Sequence, residues 1–245
     1  MSAVHNSKAC CELPPVQVKN FTPKGEYKEY NGKQVYVTGR TDAKKAIFFL
    51  YDIMGYTPQT LQGADILAGA GDYLVVMPNF FQGDTAKVEW FSDPTPENKA
   101  AMGQWMSKLT LKADEVNSHI AHAKETFPSV ERWGAIGYCW GGKVAAVHSG
   151  KDSPFVVAVQ TSPAMMDPAD AEKITIPFAT LGSKDEGAEA VNAFTDALKV
   201  PKLGKTFEGQ VHGFMSARAD LENAEQRKVY EEGYQVAGDW FAAHL

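Results

Sequence analysis

Three residues of this chain have the types that acyl transfer to a side-chain nucleophile requires, in the chain order Cys139, Asp185 and His212. Cys139 is the centre of Gly137-Tyr138-Cys139-Trp140-Gly141. In this Gly-x-Cys-x-Gly pattern the two glycines leave room for a sharp strand-to-helix reversal that pushes one side chain out above a sheet. A helix starting just after the cysteine sets unpaired N–H groups and the positive end of a dipole beside the sulfur. That lowers the cost of a thiolate and favours an oxyanion next to it. The plainer alternative is a buried cysteine beside packing glycines. The apolar run before Cys139 and the helical pattern after it favour the nucleophile.

Placing these residues together is the work of the surrounding elements. In an open α/β sheet, reactive groups sit beyond the carboxyl ends of strands. Asp185 follows the apolar run 177–182, and His212 follows the run 205–208. The order nucleophile, acid, histidine is that of the α/β-hydrolase fold and of neither major serine protease arrangement. The rest of the chain agrees. Asn31-Gly32 between residues 27–30 and 34–37 signals an antiparallel hairpin. Continuous apolar runs at 46–51, 73–77 and 155–160 read as strands covered on both faces. Helical spacing marks 57–71, 97–127 as one helix or two, 187–200 and 223–245, the last with Tyr230, Tyr234, Ala237 and Phe241 on one face. Strand–helix–strand units with short connections imply right-handed crossovers and a parallel sheet. The expected fold class is therefore α/β, an α/β-hydrolase fold with a mostly parallel central sheet flanked by helices and an N-terminal antiparallel hairpin. A long polar and aromatic insertion, 79–96, interrupts the alternation.

Composition narrows the function. At 245 residues and 44% apolar content the chain can bury one large core. Residues 26–245 read as a single domain, behind a proline-broken surface arm, 1–25. A net charge of -6 with no basic stripe argues against nucleic acid and anionic membranes as partners. No stretch approaches the ~18 apolar residues that span a bilayer, and the N-terminus lacks a signal-peptide core. Three cysteines, two of them adjacent at Cys10 and Cys11, make a poor disulfide framework. A working thiol suits a reduced, cytoplasmic compartment. His119 and His122, three apart on a helix, lack the further ligands of a metal site.

The sequence resembles the dienelactone hydrolase family from about Lys24 to its end, most closely the fungal members. Gly137-Tyr138-Cys139-Trp140-Gly141-Gly142, Gly182-Ser183-Lys184-Asp185 and His212-Gly213-Phe214 match three signature blocks; Tyr51-Asp52-Ile53-Met54-Gly55 and Met77-Pro78-Asn79-Phe80-Phe81-Gln82-Gly83 match two more. The resemblance implies a carboxylic-ester hydrolase of the carboxymethylenebutenolidase kind, with a Cys-His-Asp triad and no metal or organic cofactor. On that reading Cys139 attacks the acyl carbon, His212 shuttles the proton, and Asp185 orients the imidazole. The backbone N–H groups of Ile53 and Trp140 form the oxyanion hole by the general geometry of the fold.

Asp52 stands where family members carry a glutamate that contacts the resting nucleophile, and it is expected to oppose thiolate formation. Family members that bind carboxylated lactones use an arginine pair; here Arg218 follows His212, but residues 79–102 contain no arginine. Arg218, Tyr138, Trp90 and Phe80 are the substrate-binding candidates. Thiol chemistry independently favours activated esters over amides, because an enolate or similar group leaves a tetrahedral intermediate unaided. The partner is then a small ester or lactone, with a homodimer left open. Two other classes fit the same fold: a thiol redox sensor, which would need Cys10 or Cys11 as resolving thiol, and a non-catalytic ligand-binding protein, which an intact triad argues against.

Overall fold

The central row of the molecule is a set of neighbouring residues on adjacent strands: Leu50, Gly137, Gln160, Thr180 and Gly204. They belong to one eight-stranded sheet in a computed structural model that describes residues 14–16, 21–30, 32–109 and 115–245. In chain order the strands are β1 (Glu26–Tyr30), β2 (Lys33–Gly39), β3 (Lys45–Leu50), β4 (Leu74–Pro78), β5 (Arg132–Tyr138), β6 (Val157–Thr161), β7 (Phe178–Ser183) and β8 (Lys202–Phe207). Their spatial order is β1-β2-β4-β3-β5-β6-β7-β8. β1 pairs with β2 and β2 with β4 antiparallel; the other pairs are parallel. β4, β6 and β7 are buried along their whole length, as expected of interior strands covered on both faces.

The helices are α1 (Pro58–Ala70), α2 (Glu89–Ser92), α3 (Pro96–Met106), α4 (Val116–Thr126), α5 (Trp140–Val147), α6 (Pro168–Ala171), α7 (Ala188–Ala197) and α8 (Ala224–His244). Local chemistry sets several boundaries. Thr57 caps α1 by accepting from the Thr60 N–H, with Pro58 in the first turn where no N–H is needed. Asn223 caps α8 through the N–H groups of Glu225 and Gln226. The expected face of α8 is the buried one: Tyr230, Tyr234, Ala237 and Phe241 are at most 1% exposed. Burying each of the three rings contributes on the order of 2 kcal/mol.

The α/β-hydrolase architecture expected from the sequence is the one observed. Element edges differ by a few residues. β8 begins at Lys202. Of the two alternatives for 97–127, the described residues show two helices, α3 and α4, with residues 110–114 between them outside the described set. Cys10 and Cys11 also lie outside the described residues.

Candidate active site

β5 delivers the elbow. It ends at Tyr138, and α5 begins at Trp140, so Cys139 alone makes the reversal, with φ 52° and ψ -113°. A positive φ at a non-glycine residue costs about 1–3 kcal/mol and clusters at functional sites. The flanking glycines have no substitute here. A Cβ on Gly137 would stand 2.0 Å from Gly141 O, and one on Gly141 would stand 2.1 Å from Leu50 O. Three backbone donors hold the Cys139 carbonyl, from Gly142, Lys143 and Ala164. The residue is 1% exposed.

β7 and β8 deliver the histidine and its carboxylate. Nδ1 of His212 lies 2.5 Å from Oε1 of Glu186, and both side chains are fully buried. The other carboxylate oxygen of Glu186 accepts from Ser183 N and Ser183 Oγ, each at 2.7 Å. Burial by itself raises this carboxyl group, but the bonds and charge of His212 and the two Ser183 donors hold it below the ordinary glutamate value. An ionised Glu186 makes Nδ1 the N–H donor of that pair. Asp185, to which the sequence assigns the ring, does a different job: its Oδ2 accepts the backbone N–H of His212 at 2.6 Å. The ring partner is thus corrected to the next residue. The physical reason is the turn after Ser183, which folds the Glu186 side chain back under the strand end while Asp185 stays half-buried at the rim.

The end of β6 joins the elbow to the histidine segment. Thr161 O accepts from the Cys139 N–H at 3.1 Å, and the adjacent Ser162 Oγ accepts from the Gly213 N–H at 3.1 Å. Ser162 has φ 38°, a second strained non-glycine residue at this edge.

β3 delivers the loop beside the elbow, since Leu50 pairs with Gly137. Asp52 is buried there, and its carboxylate is spread across two segments. Oδ1 accepts from the Met54 N–H at 2.8 Å; Oδ2 accepts from Ser216 Oγ at 2.6 Å and the Ala217 N–H at 3.3 Å. Ile53 lies in the same turn, with its carbonyl accepting from the Ala86 N–H. Trp140 is the first residue of α5, where an N–H has no partner four residues back.

The substrate-binding candidates are dispersed. Tyr138 is a core residue, stacked on Phe49 at 4.7 Å. Phe80 is also wholly buried, edge-on to Tyr51, His119 and Trp140. Trp90 packs on Trp105, which packs on Phe81, which in turn meets Trp140. Phe80, Phe81 and Trp90 of the insertion, with Trp105 of α3, therefore form an aromatic layer beside Trp140, the residue after Cys139. Arg218 is 4% exposed, its guanidinium 5.9 Å from the centre of the Phe91 ring. A cavity of about 220 Å³ lies beside the Asp52 turn, lined by Met54, Tyr56, Ala86 and Val88 together with Pro15 and Val16 of the arm. No group of three or more His, Cys, Asp or Glu able to hold a metal ion occurs among the described residues.

Sequence reasoning missed Glu186, Ser162 and Ser216. For Glu186 the signal was present but ambiguous: two adjacent carboxylates, Asp185-Glu186, sit ahead of Gly187. Only the side chain's path decides between them. Ser162 and Ser216 act through side-chain hydrogen bonds to residues distant in sequence, Gly213 and Asp52, which no spacing rule detects.

With this geometry in view, the comparisons with known proteins are specific. The dienelactone hydrolase family profile matches residues 34–245. Relatives include two AIM2 family proteins of Schizosaccharomyces pombe. One is 34% identical over 239 residues, covering 91% of this chain and 92% of the relative; the other is 31% identical over 226 residues, covering 89% and 91%. A human carboxymethylenebutenolidase homolog is 26% identical over 223 residues, 86% of this chain and 88% of its own. Among solved structures, a dienelactone hydrolase from Anabaena variabilis superposes with a TM-score of 0.68 at 11% identity, covering 91% of this chain and 99% of that one. A Pyrococcus furiosus esterase gives 0.61 at 16% identity, with 94% and 98% covered. A profile match across most of the chain and relatives above 30% identity over nearly full length leave one assignment: the chain belongs to the dienelactone hydrolase family.

Proposed function

We propose that this chain hydrolyses a lactone or another activated carboxylic ester through a thioester on Cys139, with His212 as proton shuttle and Glu186 as the carboxylate that orients it. The observation that carries the reading is the buried Glu186–His212 pair at 2.5 Å on the same sheet edge as a strained cysteine elbow. A buried carboxylate fixing Nδ1 leaves Nε2 as the nitrogen that exchanges protons, the division of labour in a triad.

In the proposed cycle, His212 takes the Cys139 proton, and the thiolate attacks the acyl carbon to form a C–S bond. The carbonyl π electrons move to oxygen, where the N–H groups of Ile53 and Trp140 stabilise the negative charge. Collapse of the intermediate expels the enolate or alkoxide, which takes up the proton held by His212. Water then gives a proton to His212 and attacks the thioester. The second collapse releases the carboxylic acid and returns the thiolate. Glu186 stays ionised throughout and stabilises the imidazolium that forms twice.

An aromatic layer beside Cys139 suits a small, partly apolar ester. The names of the carboxymethylenebutenolidase homologues support an unsaturated lactone as the first compound to try. We read residues 26–245 as one domain working in the cytoplasm, where a reducing environment keeps the thiol active. The test is incubation of the protein with aryl esters and unsaturated lactones, followed by acid quench and mass analysis of the peptide carrying Cys139. Turnover with an acyl adduct on that peptide supports the reading. Turnover that survives in Cys139→Ala overturns it.

A further inference from the structure

The histidine segment is held from behind by two elements that the chemistry does not use. Gln59, the second residue of α1, is completely buried. Its side-chain Nε2 donates to three carbonyls: Val16 O at 2.9 Å, Ala219 O at 3.1 Å and Ala217 O at 3.3 Å. Three acceptors around one atom fix which end of the amide is nitrogen, since oxygen there would face only lone pairs. The Val16 N–H donates in turn to Ala217 O at 2.8 Å. Ala217 is therefore gripped on both sides, with its N–H on Asp52 Oδ2 and its carbonyl on Val16 and Gln59. Tyr230 and Tyr234 of α8 complete the frame, donating to Gln59 O and Met215 O.

We propose that Gln59 is a positioning residue which, together with Val16 of the N-terminal arm, holds residues 213–219 so that the His212 imidazole stays aligned with Cys139. The inference rests on the acyl-transfer reading. Val16 precedes residues 34–245, the span that matches the family profile, so this part of the frame reaches the histidine segment from the N-terminal arm. A single short segment links His212 to Ala217, and the Asp52 carboxylate fastens the same segment to the oxyanion turn. Loosening the carbonyl side of Ala217 leaves that segment held from one side only. A displacement of about 1 Å in a catalytic group lowers rates by up to about a hundredfold, so a small relaxation is sufficient to register.

The test uses the full-length chain with Gln59→Met, which keeps length and removes the donor, and Val16→Pro, which removes the N–H. Three quantities are measured for each: kcat and KM on an ester the wild type turns over, the melting temperature, and the pH profile of iodoacetamide alkylation of the Cys139 peptide, read by mass. Gln59→Met is expected to lower kcat about tenfold or more with KM changed less than about twofold, because uniform binding is untouched. Its alkylation profile should move to higher pH, since a misaligned imidazolium stabilises the thiolate less. Val16→Pro should act in the same direction, and the double variant should be non-additive because the two share Ala217. Unchanged kcat and unchanged alkylation profile in a folded Gln59→Met, with only a lower melting temperature, overturn the inference. If the wild type hydrolyses no ester, the acyl-transfer reading has failed, and the alkylation profile alone still decides whether Gln59 and Val16 align the histidine.

Discussion

Glu186 and His212 form a fully buried pair, 2.5 Å between Oε1 and Nδ1, while the preceding carboxylate, Asp185, binds the same residue through its backbone N–H. Two neighbouring acids therefore divide the support of one histidine. One holds the ring and the other holds the main chain.

This division predicts unequal mutants. Glu186→Gln keeps size but presents an amide to Nδ1, so the tautomer reverses or the bond is lost. Activity should fall by roughly three to four orders of magnitude, the size seen when a triad carboxylate becomes an amide. Asp185→Asn keeps an oxygen for the His212 N–H and should cost about tenfold or less. Steady-state kinetics of both variants on one ester settle the order. A larger loss in Asp185→Asn would return the ring to Asp185.

The elbow predicts a steric result. Gly141→Ala places a methyl 2.1 Å from Leu50 O, a backbone atom of the neighbouring strand that cannot rotate away. The substitution should leave little folded protein, with a stability loss of several kcal/mol expected from overpacking against the main chain. Gly103→Ala, at a position where a Cβ meets nothing within 4 Å, is the matched control and should fold normally. Circular dichroism and denaturant melts compare the two.

Much of this framework was legible in the amino-acid sequence itself. The elbow glycines, the strand-end placement of Cys139 and His212, and the α8 face all follow from local rules, because steric demand and helical period act on residues close in sequence. What was not legible depends on side-chain direction. Asp185 and Glu186 are consecutive, and the turn after Ser183 alone determines which carboxylate turns inward. For Tyr138 and Phe80 the sequence does not distinguish a pocket wall from packing, because aromatic side chains near such an elbow serve either role. Both are buried by contacts distant in sequence, Tyr138 against Phe49 and Phe80 against Phe48.

Asp52 gives a third prediction, in which charge and structure separate. A carboxylate placed only to oppose a thiolate would be removable without loss of fold. The one observed accepts from Met54 N, Ser216 Oγ and Ala217 N. Asp52→Asn turns one acceptor oxygen into a donor facing other donors, and leaving such buried groups unsatisfied costs about 1–3 kcal/mol. Urea unfolding should show that loss. Wild-type stability in Asp52→Asn would mean the network is dispensable and would restore a purely electrostatic role.

The last prediction concerns acid. His119 is buried on α4, edge-on to Phe80 at 5.0 Å, and burial foremost, then the charge of Lys33, lowers its pKa from 6.5 to about 4, with Glu115 opposing that fall. The folded protein therefore holds this imidazole neutral where the unfolded chain protonates it. Above pH ~6.5 both states are neutral and the residue adds no pH dependence. As pH falls from ~6.5 towards ~4 the unfolded state binds the extra proton, so stability declines through that window and levels off below it. The loss is at most about 3–4 kcal/mol, because each tenfold change in proton affinity corresponds to about 1.36 kcal/mol. Substituting Phe for His119 removes the titrating group while keeping a ring against Phe80. Its urea midpoint should then fall less than that of the wild type between pH 7 and pH 4.5. Parallel pH dependence in the two proteins would show that His119 is protonated as readily in the folded state as in the unfolded chain.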